Sequence, residues 1–426
     1  MSIALLFGLF FTLLVIGAPI AIALGASTFL TLVLTTPTSP VEIAGMIFEK
    51  IDSYSLMAIP MFILAGNLLS KGSSAQRIID FAKSVVGHLP GGLPMAAIFA
   101  SIIFAAVSGS SPATVVAIGS IMFGAIESAG YPKRYAIGTV ATAGSLGILI
   151  PPSIVLIVYG VTAEVSIGKL FMAGVIPGIM IGIMMMIVTY VGAIRLGFKR
   201  TQPQPFTIRF AKMKDASWAL MTIVIVIGGI YGGIFTPTEA AAVAAVWAFF
   251  VSMFIYKDIK WSELYKTFLD AGKTSAMIMF IIANAMIFAH FLTLENVPHL
   301  ITQALIEAHV GPILFLMFVN LLLFFAGDFM EPSAIIMIMV PLLLPVAKAL
   351  GIDPIHFGII VTINMELGMI TPPVGLNLFV TSGITGVSLK DVIVYSLPWA
   401  MAILVGLIII TYVPAISLWL PHIIYG

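Results

Sequence analysis

Long apolar runs recur from one end of the chain to the other, and they restrict its fold more than any other feature. A bilayer core roughly 30 Å thick needs about 20 helical residues to cross it, so the chain has room for about ten crossings. The 426 residues are 61% hydrophobic and 9% charged, with a mean hydropathy of +1.17. The sequence therefore predicts an all-α polytopic membrane protein without a soluble domain.

Composition excludes several other classes of protein. The first segment, MSIALLFGLFFTLLVIGA, lacks the basic start of a secretory signal, so we expect a retained helix. The chain has no cysteine, which excludes disulfides, thiolate metal sites and iron–sulfur clusters. The net charge of +1 gives no indication of a nucleic-acid partner.

The placement of basic residues predicts the orientation. The apolar segments at about 92–129 and 311–350 are interrupted, and if each is a re-entrant hairpin, the first half makes an odd number of crossings. With the N-terminus outside, 16 of the 19 lysines and arginines fall on the cytoplasmic side. The exceptions are Lys50, Lys169 and Lys348. The positive-inside rule predicts this bias, which supports a periplasmic N-terminus and two re-entrant hairpins.

The two halves of the chain match in order, which predicts an inverted-topology repeat of residues 1–215 and 216–426. Pro19 corresponds to Pro237, and GILIPPS corresponds to GMITPPV. Broken helices are expected at about 135–163 and 356–387. Amphipathic pieces at 76–86 and 262–272 are expected either as interfacial helices or as ordinary connecting helices packed on their neighbours.

Four stretches interrupt apolar segments at membrane depth: AVSGSSPATVV (106–116), GSLGILIPPS (144–153), FAGDFMEPSA (325–334) and LGMITPPVGLN (367–377). Non-helical backbone there needs polar partners. Proline suits the first turn of a helix, so each break is predicted to begin a half-helix whose N-terminus attracts anions while nearby carbonyls attract cations. The prolines at these breaks are Pro112, Pro151, Pro152, Pro332, Pro372 and Pro373.

Oxygen-rich groups in the four breaks predict a site for a carboxylate and for sodium. An alternative for each serine is a hydrogen bond to its own helix, and Glu331 could instead be solvated. No lysine or arginine lies in any break, so an anion would meet helix dipoles, hydroxyls and bound cations. The predicted substrate residues are Ser108, Ser110, Ser111, Ser145, Asp328, Glu331 and Asn377. The predicted sodium ligands, largely backbone carbonyls, are Ser108, Gly109, Ser110, Gly144, Gly147, Gly327, Asp328, Met330, Gly368, Thr371 and Pro372.

Four motifs along the whole chain, IPMFILAGNLLSKG (59–72), SGSSPATVVAIG (108–119), GGIYGGIFTPTEAAAVAA (228–245) and GMITPPVGLNLFV (368–380), resemble the large membrane subunit of tripartite ATP-independent periplasmic (TRAP) transporters. The resemblance implies an elevator in the bacterial inner membrane, driven by sodium ions as coupling ions, with no organic cofactor. It also implies two partners, a small four-helix membrane subunit and a periplasmic substrate-binding protein. Because no such segment precedes this chain, the small subunit is expected to be separate.

The resemblance also implies hairpin tips at Ser108–Pro112 and Gly327–Pro332, facing Gly144–Pro152 and Gly368–Pro373. The hairpins and broken helices of both halves would form the transport core, and the remainder, with the interfacial arm helices, would be scaffold. Family substrates are carboxylates, and the FMEPSA tip favours sialic acid over a four-carbon dicarboxylate. Three alternatives remain at this point. A sodium–carboxylate symporter could work without a binding protein, and an anion channel could use the same dipoles. An intramembrane enzyme would need a nucleophile and a base, for which we find no arrangement.

Overall fold

The computed structural model describes residues 2–426, which form helices joined by short turns and contain no β-strand. Helices are expected because each backbone polar group in a bilayer must be satisfied within its own segment. Eight helices in this described part are long and apolar enough to span a membrane. The predicted all-α membrane fold is confirmed.

The first half of the chain ends with a long helix that follows a broken one. A 3₁₀ turn, Gly144–Ile148, comes directly after α8, and regular helix resumes only at Ile154. The helices of this half are α1 Ser2–Val15, α2 Ile20–Thr35, α3 Pro40–Ile51, α4 Ala58–Lys71, α5 Ser74–Val86, α6 Gly92–Ser108, α7 Ser111–Ser128, α8 Lys133–Ala143, α9 Ile154–Thr162 and α10 Ile167–Arg195.

The second half contains a second break, between the helices that end at Gly368 and begin at Leu376. Its first two helices each include a short π-helical segment, Val224–Gly228 and Val251–Ile255. The helices are α11 Phe206–Tyr231, α12 Pro237–Ile255, α13 Trp261–Leu294, α14 Val297–Glu307, α15 Pro312–Gly327, α16 Pro332–Ala349, α17 Pro354–Gly368, α18 Leu376–Thr385, α19 Leu389–Tyr412 and α20 Ala415–Tyr425.

The helices differ from the sequence prediction at 262–272 and where none was predicted. The amphipathic helix expected at 262–272 continues into the next span as the single helix α13, because its one interior glycine does not stop a helix. The last apolar stretch of the chain is divided after Tyr412, since Pro414 lacks the N–H that would continue the helix. Helices α3 and α14 were not predicted, and α3 begins with a capping box between Ser39 and Glu42.

Packing joins the two halves into one body. Helix α4 packs on α12 and α13, while α19 packs on α8 and α10. A large hydrophobic core extends through both halves, whereas the outward face of α10 exposes apolar side chains such as Ile183 and Ile187. Exposed apolar side chains on a long helix are expected where lipid is the neighbour. The first break, residues 144–153, is fully buried in this body, whereas Phe329 of the second hairpin and Pro372 and Pro373 of the second break are exposed.

Candidate functional site

The tip of the first hairpin packs directly on the first broken helix. Helix α6 ends at Ser108 and α7 begins at Ser111, with Gly109 at φ +61° between them. The N–H of Ile154 donates to the carbonyl of Gly109 at 3.4 Å. A Cβ on Gly147 would lie 2.6 Å from the carbonyl oxygen of Ser110, so this close approach requires glycine.

The second hairpin meets the second broken helix through the equivalent glycine. Gly368 lies 221 positions after Gly147, and a Cβ on it would lie 2.7 Å from the backbone of Gly327. The N–H of Val374 also donates to the carbonyl of Asp328 at 3.0 Å. In each half, therefore, a glycine of the broken helix contacts the backbone of a hairpin tip.

Two polar contacts join the halves to each other. The amide of Asn377 donates to the hydroxyl of Ser111 at 2.7 Å. The hydroxyl of Ser145 lies 2.9 Å from Oε1 of Glu366, and both side chains are fully buried. Ser145 and Glu366 are also 221 positions apart. The two breaks thus meet through equivalent positions of the two halves.

A cavity of about 300 Å³, which we name the tip cavity, lies between the two hairpin tips. The first residues of four helices, α7, α9, α16 and α18, line it, and α4 and α13 complete its wall. No lysine or arginine is among the described residues that line it. Its polar lining consists of Asn67, Ser110, Ser111, Thr274, Glu331 and Ser333, together with the backbone of Gly109.

The structure separates the predicted site residues into three groups. Gly109, Ser110, Ser111, Glu331 and the prolines Pro112 and Pro332 line the tip cavity. A second group is buried behind it, away from its surface: Ser108, Gly144, Ser145, Gly147, Pro151, Pro152, Asp328, Gly368 and Asn377. The third group is half-buried or exposed outside it: Gly327, Met330, Thr371, Pro372 and Pro373.

Several of the predicted serine ligands are instead used within the protein. The hydroxyls of Ser108 and Thr114 lie 2.9 Å apart, and Thr114 also donates to the carbonyl of Ser110 at 2.8 Å. Ser145 donates to the carbonyl of Thr142 at 2.7 Å. The alternative interpretation of these serines, as groups bonded to nearby backbone, therefore describes part of their geometry.

Three carboxylate and amide oxygens of the second half are buried without a hydrogen-bond partner among residues 2–426. They are Asp328 Oδ1, Asn364 Oδ1 and Glu366 Oε2. The amide of Asn364 donates to Oδ1 of Asn320 at 2.8 Å, whereas Oε1 of Glu366 lies 2.9 Å from the hydroxyl of Ser145, so these two side chains face different neighbours. Carboxylate and amide oxygens are donors that a hard cation prefers, so each of the three is chemically suited to sodium.

Sequence reasoning missed the contribution of helices outside the four breaks. Asn67 of α4 and Thr274 of α13 line the tip cavity although neither lies in a break. Asn67 was visible as a polar residue within an apolar helix, which is a general sign of function in membranes. Thr274 gave no such signal, because it follows a charged segment.

Comparison with known proteins decides the family. The profile of the tripartite ATP-independent periplasmic transporter, DctM component, matches residues 7–416. This chain belongs to that family. It is a transporter permease of the TRAP class and a multi-pass membrane protein.

Named relatives cover nearly the whole chain. The C4-dicarboxylate TRAP transporter large permease protein DctM of Pseudomonas aeruginosa is 52% identical over 94% of each chain. The sialic acid TRAP transporter large permease protein SiaM of Vibrio cholerae is 33% identical over 97% of each chain. Among solved structures, the YdaH transporter of Alcanivorax borkumensis superposes with a TM-score of 0.63 at 16% identity, covering 88% of this chain and 87% of its own. That likeness concerns the fold alone.

Proposed function

We propose that this permease carries a C4-dicarboxylate through the tip cavity, coupled to an inward sodium gradient. One observation supports the proposal most directly: four helix N-termini converge on the tip cavity. Each N-terminus carries about half a positive charge, and the side chains of Ser153 and Glu331 already accept hydrogen bonds from the first turns of α9 and α16. Two hairpin tips that line one cavity suit a substrate with a carboxylate at each end.

Relatives favour a dicarboxylate over sialic acid. DctM proteins from Pseudomonas aeruginosa, Vibrio cholerae and Rhodobacter capsulatus, named for C4-dicarboxylates, are 52%, 48% and 46% identical to this chain. The relative named for sialic acid is 33% identical. We therefore replace sialic acid, favoured from the FMEPSA tip, by a C4-dicarboxylate as the proposed substrate. Sialic acid remains the comparison compound for the assay.

Sodium would bind beside the second tip, where Asp328 has an unpartnered buried oxygen and the backbone carbonyl of Asn364 lies 3.6 Å from where a Cβ on Gly327 would be. A bound cation would satisfy the buried oxygen of Asp328 and add positive charge close to the cavity. The anion would then bind more tightly when sodium is present, and sodium more tightly when the anion is present. This reciprocity would couple the two fluxes.

We further propose that the structure holds the tip cavity toward the cytoplasm. Asn67 and Thr274, which line it, are each one helical turn from the ion pair of Lys71 and Asp270, whose atoms are 2.8 Å apart. With the N-terminus in the periplasm, Lys71 lies on the side of the membrane proposed as cytoplasmic, where most lysines and arginines are expected. An elevator would raise the tips, with both broken helices, past α4 and α13 to load substrate from a periplasmic binding protein.

Uptake into proteoliposomes tests the proposal. The vesicles would contain this permease and a separate small membrane subunit, with the periplasmic binding protein added outside. Uptake of a labelled C4-dicarboxylate and of labelled sialic acid would be measured with and without an inward sodium gradient. We expect accumulation of the dicarboxylate that requires both sodium and the binding protein.

Each other result identifies a rival. Accumulation of sialic acid alone would reverse the choice of substrate. Full-rate, sodium-driven uptake without the binding protein would indicate an autonomous symporter. Equilibration of substrate that ignores the sodium gradient would indicate an anion channel. Crosslinks that fix α4 to the hairpin tips should stop uptake, and undiminished uptake would contradict the elevator.

A further inference from the structure

We propose that a groove between α8, α10 and α19 binds an anionic phospholipid. The groove has a volume of about 540 Å³ and lies at the ends of these helices nearest Lys133, Arg195 and Leu389. We name it the lipid groove and define it by Val188, Val191 and Val394, the floor residue Trp399, and the rim residues Arg134 and Arg195. It is separate from the tip cavity, with which it shares no lining residue.

Helix packing creates the groove. Helix α19 packs closely on both α8 and α10, whereas α8 and α10 barely contact each other. A furrow therefore remains between them, with α19 behind it. Its length follows from α10, since the seven helical steps from Val188 to Arg195 correspond to about 10 Å.

The floor of the groove is rigid and apolar. Trp399 Nε1 donates to the hydroxyl of Thr189 at 2.8 Å, and the Tyr135 hydroxyl donates to the carbonyl of Thr189. The Tyr135 and Trp399 rings pack edge to face at 5.3 Å between centroids. Trp399 is 3% and Tyr135 7% exposed, and because the polar ends of both rings are bonded inside the protein, the part of each ring that reaches the groove offers only apolar contact. Such a surface suits an acyl chain.

The rim carries the charge that selects the headgroup. Arg134 and Arg195 are exposed, and within residues 2–426 neither guanidinium makes a salt bridge or a side-chain hydrogen bond. No carboxylate is among the described lining residues. Guanidinium groups bind phosphate oxygens in a bidentate manner. Two free guanidinium groups above an apolar furrow therefore match a phosphodiester attached to acyl chains.

A phospholipid accounts for both parts of the site. A free anion would leave the valine and tryptophan surface unfilled, and an apolar partner helix would leave two arginines without counter-charge. The inner leaflet supplies anionic headgroups at this depth, and each nearby basic residue adds to their attraction. The assignment to the inner leaflet rests on the proposed function and its orientation in the membrane, whereas the groove and its charge do not.

Native mass spectrometry of the full purified chain, titrated with phosphatidylglycerol and with phosphatidylcholine, tests the proposal. We expect phosphatidylglycerol to bind at least tenfold more tightly. The double substitution Arg134→Ala with Arg195→Ala should remove that preference. A matched control, Lys199→Ala with Arg200→Ala, removes two exposed basic residues outside the groove and should change the affinity less than twofold. Val394→Trp fills the furrow and keeps both arginines, and it should also weaken the binding of phosphatidylglycerol at least tenfold. This second variant keeps the test valid if the arginine variant misfolds.

Four results would overturn the proposal. The first is equal affinity for both lipids. The second is a Val394→Trp variant that binds phosphatidylglycerol as the parent does, because binding would then be general surface electrostatics. The third is full competition by inorganic phosphate at concentrations that leave phosphatidylcholine bound, which would indicate a free-anion site. The fourth is loss of the lipid when the small membrane subunit binds, which would make a partner helix the occupant.

Discussion

Substituting Gly368 by alanine should separate the second hairpin tip from its broken helix. The added Cβ would lie 2.7 Å from the backbone of Gly327, which is 0.7 Å short of the 3.4 Å at which ordinary van der Waals contact begins. The obstacle on each side is backbone, so no side-chain rotation relieves it. The tip must therefore shift by about that distance, and overpacking of this kind costs about 1–3 kcal/mol.

The effect on transport should exceed the effect on stability. A misplacement of about 1 Å costs up to about a hundredfold where reacting or binding groups must be aligned. We expect sodium-driven uptake of a C4-dicarboxylate by Gly368→Ala to fall tenfold or more. The sodium concentration for half-maximal uptake should rise, because Asp328, with its unpartnered buried oxygen, directly follows Gly327 in the displaced tip.

Two glycines give a graded series for the same assay. Gly327→Ala places its Cβ 3.2 Å from Gly368, a milder clash, and should produce a smaller loss. Gly383→Ala, in helix α18 with no atom within 4 Å of its Cβ, should transport normally and gain slightly in melting temperature. Uptake kinetics and melting would be measured for all three. Normal uptake and normal sodium dependence in Gly368→Ala would refute the reasoning, as would equal losses across the series.

Three other expectations concern the contacts between the halves and the coupling ion. Glu366→Leu removes the partner of Ser145 and should lower uptake at least tenfold, while Glu366→Gln keeps an oxygen acceptor and should retain more; equal losses would contradict this. In a double-mutant cycle, the effects of Ser111→Ala and Asn377→Ala on uptake should deviate from additivity by about 0.5–3 kcal/mol. Strict additivity would show that their hydrogen bond does not contribute to uptake. Replacing sodium by choline should reduce uptake at least tenfold, and unchanged uptake would remove sodium as the coupling ion.

Much of the fold is predictable because a membrane imposes strong rules. The apolar runs, the charge bias and the positions of Gly and Pro are enough to predict the helices and the breaks near 144–153 and 367–377. Amphipathic pieces are harder to delimit. Helix α13 combines an interfacial part with a spanning part, and the sequence contains no breaker between them to indicate whether they are joined.

The candidate site is predictable in composition and less so in contacts. The breaks predict the tip residues Ser110 and Ser111, and these do line the cavity. Which oxygens face each other is set by tertiary packing between distant segments, so the pairing of Ser145 with Glu366 cannot be inferred from either segment alone. The role of Thr274 is hidden for the same reason, since it comes from a helix outside both breaks.

The cross-half contacts bear on how the tips move. Ser145 and Glu366 are equivalent positions of the proposed repeat, and equivalent residues contact each other only close to the axis that relates the halves. The bond between Ser111 and Asn377 adds a second link, from the first tip to the helix after the second break. Opening the first tip alone would break the bond between Ser111 and Asn377, worth about 1 kcal/mol or more, and would leave both partners unsatisfied. Moving both tips with both broken helices breaks neither of the two bonds between the halves. The proposed cation-binding oxygens lie only in the second half. Their effect on the first tip would therefore pass through the two bonds between the halves. This favours movement of the whole core over the opening of a single hairpin.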